Sequence, residues 1–174
     1  ENTIILEKEK VQTQFQEKEM ILNGNNLTIE DVVSIAKNVN KPFTFKVSEK
    51  KKKNIEESNQ LKHKIINEQK PIYGVTTGFG DSVIRQISPE KTLDLQRNLI
   101  RFLSCGVGPN AELSVARATM IIRSNCLIKG NSAVRFKVIE QLLTYLERGI
   151  TPVIPERGSV GASGDLVPLS YLAS

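Results

Sequence analysis

Residues Gly158 to Leu169 read Gly-Ser-Val-Gly-Ala-Ser-Gly-Asp-Leu-Val-Pro-Leu. At their centre, Ala162-Ser163-Gly164 combines a backbone nitrogen, a carbonyl two residues earlier and a serine that can be dehydrated. Glycines at 158, 161 and 164 lack the Cβ that keeps a chain out of compressed conformations. Attack of the Gly164 nitrogen on the Ala162 carbonyl closes a five-membered ring and expels the carbonyl oxygen as water, and loss of the Ser163 hydroxyl as a second water leaves an imidazolinone bearing an exocyclic methylene. That methylene accepts nucleophiles, which no ordinary side chain does. A tight turn capping a helix is the competing reading of the same glycines.

Other glycine-based chemistries fit poorly. Around Ser163 the order is Gly-x-Ser-Gly, one position short of a nucleophile elbow, and the single histidine of the chain, His63, lies between Lys62 and Lys64 where a solvated imidazole is expected. The second glycine-rich stretch, Tyr73-Gly-Val-Thr-Thr-Gly-Phe-Gly80, is not followed by Lys-Ser or Lys-Thr and is no phosphate loop of the Walker type. A single histidine also argues against a metal site.

Taken together, the block from Gly158 through Ser170-Tyr-Leu-Ala173 and the Tyr73 to Gly80 loop resemble two motifs of the aromatic amino acid ammonia-lyase and aminomutase family, in the family's order. The resemblance runs from about Leu27 to Ser174; residues 1–26 match nothing and are read as an N-terminal extension preceding a domain at 27–174. It implies a mainly α protein, the N-terminal portion of the ammonia-lyase fold in the fumarase/aspartase-like superfamily, with short strands and loops around the site. A helical bundle is expected beyond residue 174. It further implies a prosthetic group, 4-methylideneimidazol-5-one, made autocatalytically from Ala162, Ser163 and Gly164, with no metal.

The implied reaction removes ammonia from an aromatic α-amino acid while a proton leaves the β-carbon. Ser163 supplies the electrophile and Tyr73 the general base for the weakly acidic β-proton, a role that requires its phenolic charge to be stabilised or its proton passed on. A helix beginning near Asp165 would direct its positive end at such charge. Gly74, Gly78 and Phe79 belong to a mobile lid carrying Tyr73, and the backbone at Gly80 is expected to lie close to the prosthetic group. The resemblance also assigns substrate choice to a residue pair in the helix after the lid. Here that pair is Phe102-Leu103, an apolar wall without a donor for a phenol or imidazole, joined by Leu166. L-Phenylalanine is therefore the expected substrate and trans-cinnamate the product, with an aminomutase giving β-phenylalanine as runner-up and tyrosine or histidine ammonia-lyases behind. A homotetramer with shared active sites is implied as well, so residues 1–174 alone are expected to be inactive.

Composition sets the limits within which the elements must form. Hydrophobic residues make up 39% and charged residues 25% of 174, and no apolar run is long enough to cross a bilayer. Acidic residues among the first apolar ones do not resemble a signal peptide, so cytoplasmic residence is the expectation. Cys105 and Cys126 lack Cys-x-x-Cys spacing and are expected to be reduced core thiols. The net charge of +5 and the run Lys50–Lys53 raise the possibility of nucleic acid. Glu49, Glu56 and Glu57 flank that run without interleaved aromatics, as on a solvated helix face.

Apolar runs at Ile4–Leu6, Met20–Leu22 and Phe43–Val47 read as short strands. Thr28 and Asp31 form a capping pattern for a helix to about Asn38, and a second helix spans Ser48 to about Glu68. Ser88-Pro89-Glu90 starts another, to about Cys105, with Gly106 and Gly108 ending it. A largely buried helix from Ala111 to Ile128 and one from Ser132 to Arg148 should pair antiparallel, stopped by Gly130 and Gly149. Pro152 and Pro155 impose an extended approach to the glycine block. From another class of function, a non-catalytic helical interaction module with a basic docking surface fits the same pattern.

Overall fold

The apolar run Met20–Leu22 and the alternating apolar residues of 43–47 form two short strands, β1 (Lys18–Leu22) and β2 (Phe43–Val47), in a computed structural model that describes residues 18–39, 43–161 and 164–174. They pair in parallel, Lys18 opposite Phe43 and Leu22 opposite Val47, with Met20, Leu22, Phe43, Phe45 and Val47 turned into the core. A parallel pair needs a crossover, supplied here by α1 (Ile29–Lys37). Its capping box is complete: the Thr28 hydroxyl accepts from the Asp31 N–H at 3.1 Å and Asp31 accepts from the Thr28 N–H at 3.3 Å. The Thr28 hydroxyl, with the Thr28 N–H and Lys18 adding to it, holds the Asp31 carboxyl below its ordinary value against the opposing effect of burial.

Ser48 caps α2 (Glu49–Asn67), whose lysine run is threaded with acids: Lys52 pairs with Glu49 at 2.7 Å and Lys53 with Glu57 at 3.8 Å. Two 3-10 turns, Gly80–Ile84 and Pro89–Lys91, lead to α3 (Thr92–Leu103). The helix expected from Ser88 therefore begins as a 3-10 turn and ends two residues before Cys105. Strand β3 (Val107–Asn110) follows, then α4 (Leu113–Ile128) and α5 (Phe136–Glu147). Helix α5 starts later than Ser132 because Ala133 takes a left-handed φ of 52°, which no helix accommodates. Gly130 and Gly149 stop α4 and α5 with φ of 87° and 70°. Strand β4 (Pro155–Arg157) pairs antiparallel with β3, and α6 (Leu166–Ala173) ends the described chain. The run Ile4–Leu6 lies outside the described residues.

The core is built where α4 packs against α1 and α5 and β2 lies on α5, joining Leu22, Ile35, Ile55, Met120, Ile121, Ile128, Ile139 and Leu146. Two expectations about burial are corrected. Leu113 and Val115 are exposed whereas Arg117 and Ser124 are buried, so the inward strip of α4 is partly polar. Arg117 is tolerated because its Nε donates to the Ile35 carbonyl at 3.1 Å, near the end of α1, while burial pulls its guanidinium below the usual arginine range. Cys105 and Cys126 are both exposed free thiols, not core residues, since each falls on the outer side of its segment.

Candidate active site

Three hydrogen bonds fold the segment after α2 into a tight loop. The Thr76 hydroxyl accepts from the Ile72 N–H at 2.8 Å, the Thr77 hydroxyl accepts from the Gly74 N–H at 3.1 Å, and the Ile87 N–H donates to the Thr76 carbonyl at 2.8 Å. Both threonines are buried, so the loop is organised from within by short hydroxyls that reach their own backbone. Gly74 sits at φ 72°, and a Cβ there would lie 2.8 Å from the Phe79 ring, so glycine is required on both counts.

Tyr73 is 63% exposed at the head of this loop, its ring edge-on to Phe79 with centroids 6.1 Å apart. The Gly80 N–H donates to the Tyr73 hydroxyl oxygen at 3.1 Å. A backbone donor is thus aimed at the atom on which negative charge would develop if this phenol moved a proton. Gly80 itself has φ 54°; a Cβ there would meet nothing within 4 Å, so among the described residues backbone conformation is what favours glycine. Behind Tyr73 lies a cleft of about 360 Å³ lined by Leu61, Lys62, Ile65, Ile72 and Val75. Lys62 donates to the Ala133 carbonyl at 3.1 Å, and burial, reinforced by Arg135, pulls its ammonium below the usual lysine range.

The glycine block is reached by the β3–β4 ribbon, which turns the chain back from the end of α3. Here packing explains one glycine and conformation another. A Cβ on Gly158 would lie 2.4 Å from Val167 Cγ1, whereas Gly164 adopts φ 64° and a Cβ there would meet nothing within 4 Å among the described residues. Val160 and Gly164 bridge each other across the intervening residues, and the Ser159 hydroxyl lies 3.1 Å from the Gly164 carbonyl and 3.0 Å from Asp165 Oδ1. The Val160–Gly164 bridge and the left-handed glycine at 164 suit a backbone that must fold on itself to cyclise, and in this the described residues fit the group that the sequence implies. Ala162 and Ser163 lie outside the described residues. Asp165 precedes α6 as expected, its side chain turned toward Ser159 rather than capping the helix.

Helix α3 connects the two halves of the site. Gln96 donates its Nε2–H to the Gly74 carbonyl at 2.6 Å, while α3 packs on α6 and the Gly106 N–H just beyond its end donates to the Tyr171 hydroxyl at 3.0 Å. Phe102, Leu103 and Leu166 fall on these two helices: Phe102 is 79% exposed, Leu103 half-buried and Leu166 exposed. The structure therefore gathers Tyr73, Gly74, Phe79 and Gly80 into one loop, ties that loop to α3, and leaves the apolar pair presented outward about 9 Å further along the helix axis. Gln96 and Ser159 were not singled out by the sequence, and Asp165 was read only as the start of a helix. The Thr76-Thr77 pair between glycines was the one local signal of internal loop bonding, while Gln96 is 22 residues from its partner.

A family model described as aromatic amino acid lyase matches residues 27–174. A histidine ammonia-lyase of Streptococcus sanguinis is 44% identical over 151 residues, 87% of this chain and 29% of that protein. Among solved structures, the tyrosine aminomutase of Streptomyces globisporus superposes with a TM-score of 0.82 at 41% identity, covering 90% of this chain and 28% of that one. The phenylalanine aminomutase of Pantoea agglomerans does so with 0.78 at 29% identity, covering 90% and 29%. The chain thus spans under a third of the length of these relatives. No helix among the described residues is long and apolar enough to cross a membrane.

Proposed function

Because the chain belongs to the aromatic amino acid lyase family, we propose that it forms the N-terminal, prosthetic-group-bearing part, residues 27–174, of an enzyme that eliminates ammonia from L-phenylalanine to give trans-cinnamate. The group 4-methylideneimidazol-5-one, formed from Ala162, Ser163 and Gly164, supplies an electrophile for the substrate amine. The chain's own residues do the rest. Tyr73 takes the β-proton, and the Gly80 N–H stabilises the charge this places on the phenolic oxygen. That donor, 3.1 Å from the oxygen, is the observation that carries the reading, because it gives the exposed tyrosine a chemical role that simple packing does not need. Phe102, Leu103 and Leu166 form the apolar wall for the substrate ring; with no donor among them, a phenol or imidazole would lose hydrogen bonds on entering. Gly74, Gly78 and Phe79 allow the lid to close. A cytoplasmic homotetramer belongs to the same reading.

The test is turnover by the full-length natural protein with L-phenylalanine, L-tyrosine and L-histidine offered separately. We expect kcat/KM for L-phenylalanine to exceed that for L-histidine by about 100-fold, the order of discrimination open to an apolar pocket with no partner for a polar ring group. The kinship with histidine ammonia-lyases favours histidine as the second reading, and faster turnover of histidine would overturn the first. Substantial β-phenylalanine in the product mixture would instead identify an aminomutase, as the aminomutase neighbours suggest.

A further inference from the structure

Gln96 stands apart from the rest of α3. Most of the helix's polar side chains reach toward solvent, but Gln96 is half-buried and its amide reaches out of the helix to the carbonyl of Gly74. Because a carbonyl oxygen only accepts, the nitrogen end of the amide must face it. At 2.6 Å this is among the shortest side-chain bonds of the described residues. The opposite side of the same residue is held too, since the Gly74 N–H donates to the Thr77 hydroxyl. Gly74 follows Tyr73 directly and sits at a left-handed φ of 72°, where small rotations swing the preceding side chain through large arcs.

We propose that Gln96 is a positioning residue that latches the lid: it fixes the Gly74-Val75 peptide, one residue beyond Tyr73, against α3 and so sets the direction of the Tyr73 phenol relative to the helix that carries Phe102 and Leu103. The proposal rests on the reading of Tyr73 as the base. The aiming of the phenol at the Gly80 N–H then has two supports, Thr77 within the loop and Gln96 outside it, and only Gln96 relates the loop to the substrate wall. A displacement of about 1 Å at a reacting group costs rate on the order of 100-fold, so a latch of this kind is felt in turnover although Gln96 touches no substrate.

Gln96→Met fills the same space without a donor, and Gln96→Glu keeps the shape but turns a carboxylate oxygen toward the carbonyl. In the full-length protein, hydrogen exchange at the backbone amides of residues 74–80 should accelerate about tenfold in the Met variant and more in the Glu variant. The value of kcat should fall at least about fivefold in the same order, while KM for the amino acid and the thermal midpoint stay close to those of the parent. Gln96→Lys, which keeps a donor of similar reach, should recover most of the protection, and it serves as the deciding variant if Gln96→Met fails to fold. Unchanged exchange at 74–80 in Gln96→Met, or lost protection in Gln96→Lys, would overturn the latch. A parent protein without ammonia-lyase turnover would remove the assignment of Tyr73 as base and leave the exchange comparison to decide the latch independently.

Discussion

At Tyr73, the proposed base, a side chain near the surface is oriented by its neighbours' backbone. Its ring is steadied by Phe79 and its oxygen receives the Gly80 N–H, yet neither contact buries it. Tyr73→Phe removes only the hydroxyl and leaves the ring contact in place, so the fold should survive while kcat falls by about 10²–10⁴-fold, the range for loss of a general base. Steady-state kinetics beside a thermal melt will check this, and near-parental kcat would contradict it. The sequence singles out Tyr73 because its loop resembles a long ordered motif. The residues that aim it were less legible: Thr76 and Thr77 sit in that motif without announcing their bonds, and Gln96 acts across 22 residues through a helix whose angle no local pattern encodes.

Among the elements, legibility followed the range of the forces involved. The Thr28–Asp31 box, the Ser48 cap and the glycine stops at 130 and 149 are local chemistry and appear where the sequence put them. The β3–β4 ribbon did not, because Val107–Asn110 carries two structure-breaking residues, Gly108 and Pro109, and is held in place by pairing with a segment nearly fifty residues away. The inward strip of α4 was misjudged for the same reason: only the arrival of the α1 carboxyl end makes a buried Arg117 tolerable. The capping box gives a prediction at this scale. Thr28→Ala should cost about 1 kcal/mol of stability. Because the folded pKa of Asp31 is depressed from 3.8, its contribution is fully present above that value and is lost as the pH falls through 3.8 to the lower folded value. Denaturant midpoints of parent and variant should therefore converge on acidification below about pH 4; a gap that widens there would contradict the capping account.

For the whole molecule, the described chain forms a well-packed half around α1, α4 and α5 and a more open half, α3, the β3–β4 ribbon and α6, where Phe102, Val107, Val153, Val160 and Leu166 are exposed. The open half is the one that carries the proposed chemistry. The family was legible from two motifs, and the helical character from periodicity, whereas the substrate choice proposed for Phe102 and Leu103 turns on side chains that are exposed or half-buried here. The central claim is that Ala162-Ser163-Gly164 becomes an electrophile, and the most direct test is the accurate mass of the peptide containing Gly158 to Ser174 from the purified natural protein. A peptide two waters lighter than its sequence, with the deficit abolished in Ser163→Ala, is the predicted result. A peptide of unmodified mass from the parent would contradict the account and leave the glycine block as a turn before α6.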